Sequence, residues 1–462
     1  MGCRDYRLTV TAMGHATGDH GGRGSTSTAV RAPKPRRRNT PGAPARVERF
    51  FGELGPGLVT GAADDDPSGI STYSVTGAAF GYAPLWIALF SFPLMVSVQL
   101  MCARLGMVTG KGLAGVVRAR YPRSVLWGAC ALLIVANVVN IGADLGGMAE
   151  ATELVTGLNH RVLIPVYGLL IVMLLFFSSY RQIARVFKWL TLVLFAYVGA
   201  GIMAHPAWTT ALRATVIPHV EWSARYFSVL VGILGTTISP YLFFWQASVE
   251  VEEDRAVGRR TLRQRQGATK AELHRSFIDV VVGMFFSNFI MYFIILTTAA
   301  TLHANGQTQI STAREAAEAL RPLAGPAAYW LFTLGLIGTG MLGVPVLAGS
   351  CAYAMAEAFA WRGSLEDRPK SARRFYAVVA VAMLVGLLLD VIGFNAVAML
   401  FWSAVVNGVL APPLIVLVVL LTSNRKVMGA RANSRLLRWV GWTTAATMSA
   451  AAVAMIVTAL LE

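Results

Sequence analysis

Three consecutive carboxylates, Asp64, Asp65 and Asp66, stand inside an apolar stretch and are the strongest candidates for chemistry in this sequence. A charge at the centre of a bilayer costs at least about 2.5–3.5 kcal/mol on insertion scales, so such residues are rare and usually functional. Pro67 follows directly, removes a backbone donor and disfavours a continuous helix. We therefore predict a helix that stops in mid-membrane and directs oxygens into a cavity suited to a hard cation. The alternative is a cytoplasmic loop followed by a helix N-terminus.

A second interrupted segment lies in the other half of the chain, over residues 235–241, with glycine, then hydroxyls, then Pro240. Interrupted apolar segments at corresponding places in two halves indicate the central site of a transporter. We predict that the hydroxyls and unwound carbonyls of Thr236 and Ser239 face Asp66 across one cavity. The alternative for this segment is an ordinary proline kink whose hydroxyls bond to their own backbone.

The three carboxylates differ in the role that we expect of them. Successive helical residues point about 100° apart, so all three cannot face one ion. We predict Asp66, next to the proline, as the direct ligand, while Asp65 or Asp64 acts through water or attracts the ion. None of the seven histidines lies in the middle of an apolar span, so an imidazole-lined metal site is not expected.

The composition indicates a polytopic membrane protein, because 55% of the 462 residues are hydrophobic, only 14% are charged and the mean hydropathy is +0.57. The net charge of +16 does not indicate a nucleic-acid partner, since the basic residues fall in the gaps between apolar spans. Eleven candidate spans are long enough to cross a bilayer. Their approximate ranges are 54–81, 84–103, 124–154, 162–179, 186–204, 226–249, 277–302, 327–356, 375–394, 396–421 and 437–461.

The positions of lysine and arginine orient these spans. Of the 40 basic residues, 35 fall in alternate gaps, which by the positive-inside rule lie in the cytoplasm. A plasma (inner) membrane protein with a cytoplasmic N-terminus and an external C-terminus is therefore expected. Residues 1–48 are predicted to form a disordered, basic cytoplasmic tail, 49–423 the transporter core, and 424–462 a cytoplasmic loop and the eleventh span.

The longest gaps flank span 6 and suggest two units, spans 1–5 over about 54–204 and spans 6–10 over about 226–421. Span 1 would run outward and span 6 inward, so the two units would have opposite topology. The predicted fold is all-α and polytopic, an inverted five-plus-five repeat with broken helices 1 and 6 and an added eleventh helix.

Roughly residues 50–425 resemble the natural-resistance-associated macrophage protein (Nramp) family of divalent-metal transporters. The resemblance rests on Gly55-Pro56-Gly57 leading into Asp66-Pro67, on the broken span 6, and on Ala143-Asp144-Leu145 in span 3. It implies a leucine-transporter-type fold, import of a divalent cation through the lipid bilayer, and no cofactor apart from the transported ion.

Several positions depart from the family pattern. In span 1, Asp-Pro-Gly-Asn reads Asp66-Pro67-Ser68-Gly69, so the Asn ligand becomes Gly69. In span 6 the metal-binding Met becomes Ser239, the Ala becomes Thr236 and the His becomes Tyr241. The Gln of span 10 that helps to bind metal in the family has no clear counterpart in this chain, and the nearest amide side chain is Asn407.

These departures change the kind of ion that the site should prefer. A thioether favours soft or borderline ions, whereas hydroxyl and carboxylate oxygens favour hard ones. Small residues such as Gly69 would also leave room for the water that Mg²⁺ retains. The sequence is therefore similar to the Nramp-related magnesium transporter branch, and we expect import of Mg²⁺ and/or Mn²⁺.

Weak or absent proton coupling is expected, because a relay needs titratable groups in a chain. Asp144 matches the span 3 acid of the family, but the acid expected three residues later is Gly147, and the span 6 His is Tyr241. Asp144 is either a proton-linked residue or a buried polar group bonded to its neighbours. Glu150 either draws cations to an external vestibule or is a solvated surface charge.

Two other transport functions stay open from the sequence. One is the proton-coupled Mn²⁺/Fe²⁺ symport typical of the family, and the other is a Na⁺-coupled carrier of organic solutes on the same fold. Three acids at the break disfavour a substrate carboxylate there. An enzyme is not expected, since the acids cluster at one break and no H-E-x-x-H motif is present.

Overall fold

The computed structural model describes residues 56–178, 182, 189, 192–390 and 395–462. The predicted tail 1–48, the first two residues of span 1, the last residue of span 4 and parts of spans 5 and 9 lie outside the described residues. Within them, every regular element is a helix, which agrees with the predicted all-α class.

Fifteen of the described helices are eight or more residues long. They are α1 (Pro56–Asp64), α2 (Pro67–Phe80), α3 (Trp86–Thr109), α4 (Leu113–Arg120), α5 (Arg123–Thr156), α6 (His160–Phe177), α7 (Phe195–Met203), α8 (Trp208–Val216), α9 (Ala224–Thr237), α10 (Pro240–Ala256), α11 (Lys270–Thr301), α12 (Ala328–Ala358), α13 (Arg373–Asp390), α14 (Ala396–Ser423) and α15 (Arg435–Leu461). Shorter helices occur at Leu262–Arg265, Ala313–Glu318, Arg321–Ala324 and Arg425–Met428.

Eight helical stretches in the described part of the chain are long and apolar enough to cross a membrane, with α9 and α10 counted as one stretch. A pair bent by 119°, Leu192–Met203 with Trp208–Val216, brings the number to nine. Spans 1 and 9 correspond to α1–α2 and α13, which are not among these nine. The number of eleven spans therefore stays a prediction.

Both predicted breaks are present. The first helix ends at Asp64 and the next begins at Pro67, with Asp66 extended at φ −66° and ψ 171°. The second break runs from Thr237 to Pro240, with Ser239 extended at φ −77° and ψ 136°. In each case proline occupies the first position of the new helix, where its missing N–H costs no hydrogen bond.

Glycines let the broken helices approach their neighbours at backbone distance. A Cβ at Gly61 of α1 would lie 2.3 Å from the carbonyl oxygen of Gly283 on α11. A Cβ at Gly235 of α9 would lie 2.1 Å from the carbonyl oxygen of Ala404 on α14. Small residues at helix contacts permit close packing inside a membrane, so each broken helix is held against a long continuous one.

The segment between α10 and α11 folds back along the end of α3. The amide of Gly267 donates to the carbonyl of Val108 at 2.9 Å. Arg259 donates to Asp254 at 2.6 Å and also to Glu272. The hydrogen bond to Glu272 is the main reason why the pKa of the Arg259 guanidinium is raised above its ordinary value. These contacts tie the basic segment to the ends of three membrane helices, α3, α10 and α11.

Candidate functional site

Asp66 links the first break to α5. Its side chain is only 2% exposed. Oδ1 accepts from the hydroxyl of Ser68 at 2.6 Å and from the amide of Gly69 at 2.9 Å, which caps the N-terminus of α2. Oδ2 accepts from the Nδ2 of Asn140 on α5 at 2.7 Å. The carboxylate therefore fixes the position of α2 relative to the long third span.

Asn140 gathers the polar side chains around Asp66. Its Nδ2 lies 3.4 Å from Oδ2 of Asp144, one turn further along α5. Its Oδ1 accepts from Nδ2 of Asn407 on α14 at 3.3 Å. Asn140, Asp144 and Asn407 are all at most 1% exposed. The structure thus brings the predicted residues Asp66, Asp144 and Asn407 together around an asparagine that the sequence analysis did not select.

A sequence signal for Asn140 did exist. It stands four residues before Asp144, and residues four apart on a helix lie on the same face. A buried amide one turn from a candidate acid is well placed to hold that acid. Its other two partners, Asp66 and Asn407, depend on packing between segments that are distant in the sequence.

Asp64 and Asp65 contact a different helix. The hydroxyl of Ser287 on α11 donates to Oδ2 of Asp64 at 2.6 Å and lies 3.2 Å from Oδ1 of Asp65. Both acids are buried, at 0% and 4% exposure. Asp64 and Asp65 therefore share one hydroxyl of α11, while Asp66 lies on the α5 side. Because α1 ends at Asp64, the chain break, and not helical spacing, separates Asp66 from the other two.

The hydroxyls of the second break donate to the backbone of their own segment. Ser239 donates to the carbonyls of Gly235 at 2.7 Å and Thr236 at 2.6 Å. Thr236 donates to its own helix, at Ile233 O, and to the hydroxyl of Tyr73. Neither hydroxyl is hydrogen-bonded to Asp66 among the described residues, and the bonds to the backbone agree with the alternative given for this segment. The last carbonyls of α9 lack helical partners because the chain breaks before Pro240, and the hydroxyls satisfy them.

Two tyrosines connect the breaks. The hydroxyl of Tyr241, at the start of α10, donates to the carbonyl of Ala63 at 2.9 Å, next to the end of α1. The hydroxyl of Tyr73 on α2 accepts from Thr236 at 3.0 Å. The two interrupted spans are thus joined by two hydrogen bonds, and Tyr241 supplies one of them.

Glycines shape the immediate surroundings of the first break. A Cβ at Gly343 of α12 would lie 3.0 Å from Cβ of Asp66, so this position keeps the helix close to the carboxylate. Gly69 is less confined, since a Cβ there would meet its nearest atoms, the ring of Tyr73, at 3.4 Å. A Cβ at Gly147 would lie 2.7 Å from a methyl group of Leu400, so an acid at this position needs that leucine to move.

Glu150 does not lie free in a vestibule in this structure. Its Oε1 accepts from the amide of Ala313, at the start of a short helix, at 3.1 Å. The side chain is half-buried. It therefore anchors the segment between α11 and α12 to the end of α5.

Four acidic side chains are buried together around the first break. Asp64, Asp65, Asp66 and Asp144 are buried, and none forms an ion pair with a lysine or arginine among the described residues. Three acceptors have no hydrogen-bond partner among those residues: Oδ1 of Asp64, Oδ1 of Asp144 and Oδ1 of Asn407. Buried charge and unpaired acceptors are costly unless a proton or cation compensates them.

The donor set limits what kind of cation would fit. Among the described residues, no three His, Cys, Asp or Glu side chains are grouped so as to hold a metal. An ion at the break would therefore need amide, carbonyl or water oxygens in addition to one or two carboxylates. Mixed oxygen ligands of this kind suit Mg²⁺, Ca²⁺ or Mn²⁺.

Comparison with known proteins identifies the family. The model of the natural resistance-associated macrophage protein-like family matches residues 57–458, which extends the expected resemblance through α15. The divalent metal cation transporter MntH of Klebsiella pneumoniae subsp. pneumoniae is 29% identical over 401 residues, covering 85% of this chain and 91% of that protein. MntH of Yersinia enterocolitica is 27% identical over 398 residues, covering 84% and 90%.

Solved structures show the fold. The manganese transporter of Eremococcus coleocola superimposes with a TM-score of 0.68 at 20% identity, covering 89% of this chain and 87% of that one. Mhp1, a nucleobase-cation-symport-1 family transporter, has a TM-score of 0.51 at 16% identity, covering 89% and 92%. The fold is thus of the predicted leucine-transporter type, and the chain belongs to the Nramp-like family of membrane transporters.

Proposed function

We propose that this protein is a secondary transporter that imports divalent cations, Mg²⁺ and/or Mn²⁺, across the plasma membrane. The observation that carries the proposal is the excess of buried acceptor oxygens at the first break, with no ion-paired lysine or arginine among the described residues. A dication bound there would compensate both the charge and the unpaired oxygens.

The proposed ligands come from both breaks and from α14. Asp66 is the central carboxylate, with Asp65 as a second acid on the α11 side. Asn407 offers an unpaired amide oxygen. Since the hydroxyls of Thr236 and Ser239 are already engaged as donors, these residues contribute oxygen lone pairs or backbone carbonyls. Gly69 contributes open space for water that the ion retains.

The choice of ion rests on ligand chemistry. The MntH relatives are named divalent metal cation transporters and the Eremococcus protein a manganese transporter. This chain has a hydroxyl, Ser239, where the family places a thioether, so discrimination against hard ions is weakened. In proteoliposomes we expect Mn²⁺ flux that falls when millimolar Mg²⁺ is added. Mn²⁺ flux that is unaffected by millimolar Mg²⁺ would refute the proposed selectivity.

We also propose weak or absent coupling to protons, in contrast to the proton-coupled Mn²⁺/Fe²⁺ symport typical of the family. Two observations support it: Leu400 fills the space beside Gly147, and Tyr241 donates its hydroxyl to a backbone carbonyl. Metal uptake should leave the pH of the vesicle lumen nearly unchanged. A metal-dependent acidification that disappears in Asp144→Asn would establish the symport alternative.

The orientation follows from the basic residues. We propose a cytoplasmic N-terminus and an external C-terminus, with a core over 49–423 and a cytoplasmic loop and final span over 424–462. A membrane-impermeant thiol reagent applied to intact cells should label Glu462→Cys. Labelling that occurs only after the cells are lysed would reverse the orientation.

A further inference from the structure

A cavity of about 500 Å³ lies between the end of α14 and the start of α15. Its lining comes from the connecting segment and the first turn of the last helix. The residues are Arg425, Gly429, Ala430, Ala432, Asn433 and Arg438. None of these residues belongs to the proposed ion site, so the cavity needs a separate explanation.

The described residues around this cavity carry positive charge without an acidic partner. The chain contains no Asp or Glu between Asp390 and Glu462, while residues 424–438 carry five lysines and arginines. Arg425 and Arg438 are exposed and form no ion pair with any described residue. Arg104 of α3 adds to this charge, because its guanidinium donates to the carbonyl of Arg431 at 2.7 Å. Such a concentration of positive charge in a concave surface attracts an anion.

Exposed aromatic side chains place the cavity at the membrane surface. Leu436 and Trp439, in the first turns of α15, are both 74% exposed, and Trp442 is 40% exposed. The helix they belong to is among those long and apolar enough to span a membrane. Tryptophan at the end of such a helix is typical of the headgroup region of a bilayer. Phospholipid headgroups are therefore the most concentrated anions at this level.

Asn433 favours a ligand that can donate a hydrogen bond. The side chain is 6% exposed, and its Nδ2 donates to Oγ1 of Thr422 at 2.7 Å. Its Oδ1 has no partner among the described residues, although the residue lines the cavity. A buried acceptor without a donor is costly, so a ligand with a hydroxyl is favoured over one with none.

We propose that this cavity binds the headgroup of an anionic phospholipid that carries a hydroxyl group, such as phosphatidylglycerol. Arg425 and Arg438 contact the phosphate, and Asn433 accepts from the headgroup hydroxyl. Basic pockets between membrane helices on the cytoplasmic side are suited to such headgroups. The bound lipid holds α15 against α14.

The test uses the purified full-length chain in detergent. Native mass spectrometry measures the affinity for phosphatidylglycerol, phosphatidylcholine and inorganic phosphate. The double variant Arg425→Gln/Arg438→Gln removes both phosphate contacts. The control, Arg118→Gln/Arg120→Gln, removes the same charge from the exposed end of α4. We expect phosphatidylglycerol affinity to fall about 30-fold in the first variant, since each arginine near a headgroup contributes about a fivefold effect. It should change less than about threefold in the control.

The outcomes separate the possible sources of the anion. Equal weakening in both double variants would mean diffuse surface charge and would overturn the proposal. Equal affinity for phosphatidylcholine would overturn it too, as would inorganic phosphate that binds with the same arginine dependence and displaces the lipid. The single variants Arg425→Gln and Arg438→Gln, each expected to weaken binding about fivefold, keep the test decisive if the double variant fails to fold.

Discussion

At the scale of single residues, the negative charge of Asp66 is central to transport. The Asp66→Asn variant keeps the shape of the side chain and removes the charge that a dication would compensate. We expect flux of Mn²⁺ to fall at least about 100-fold, since breaking a buried ionic interaction costs about 3–5 kcal/mol. Proteoliposome uptake measures this. Wild-type flux in Asp66→Asn would exclude Asp66 as the ion ligand.

Asn140 positions this carboxylate, so its removal should weaken ion binding without abolishing it. Side chains that orient a metal ligand contribute about 10–100-fold to affinity, and we expect a loss in this range for Asn140→Leu. The matched control is Asn137→Leu on the same helix, whose amide donates to the carbonyl of Leu347 at 2.8 Å and to no carboxylate. Calorimetric titration with Mn²⁺ compares them. Equal affinities in the two variants would contradict the positioning role.

Ser239 allows a prediction about selectivity. The Ser239→Met variant restores the thioether of the family pattern, and soft or borderline ions should then be favoured. Competition by millimolar Mg²⁺ against Mn²⁺ uptake should decrease by about tenfold, which corresponds to about 1.4 kcal/mol. Since the Ser239 hydroxyl shares its one proton between two carbonyls, thermal stability must be measured in parallel. Unchanged Mg²⁺ competition in a well-folded variant would remove this residue from the selectivity argument.

At the scale of helices, the contact between α1 and α11 depends on glycine. Alanine favours a helix over glycine by about 1 kcal/mol. Gly61→Ala should nevertheless destabilise the protein, because the new Cβ would lie 2.3 Å from a backbone oxygen of Gly283. Gly128 of α5 is the control, since its Cβ would meet no atom within 4 Å. Thermal unfolding should show a lower midpoint for Gly61→Ala and an unchanged or higher one for Gly128→Ala. The reverse order would refute this packing.

At the scale of the whole molecule, much of the fold could be predicted from the sequence. Hydropathy located the long spans, and Pro67 and Pro240 located both breaks, because proline acts locally on the backbone. The hydrogen-bond partners of Ser239 and Thr236 could not be predicted, because the acceptors are backbone carbonyls that become available only where the folded helix ends. The partners Asn140 and Ser287 lie more than 70 residues from the first break, and only tertiary packing pairs them with its carboxylates.

The location of the bound ion tests the central claim most directly. Crystals soaked in Mn²⁺ should give an anomalous peak between residues 64–69 and 236–240, within reach of the Asp66 carboxylate. Distances of about 2.0–2.1 Å from the ion to protein oxygens, as for directly bound Mg²⁺, would mean that the ion has lost its water there. Longer distances would mean that the ion retains water between itself and the protein. The peak should vanish in Asp66→Asn. A strong peak elsewhere, or one that persists in that variant, would contradict the account.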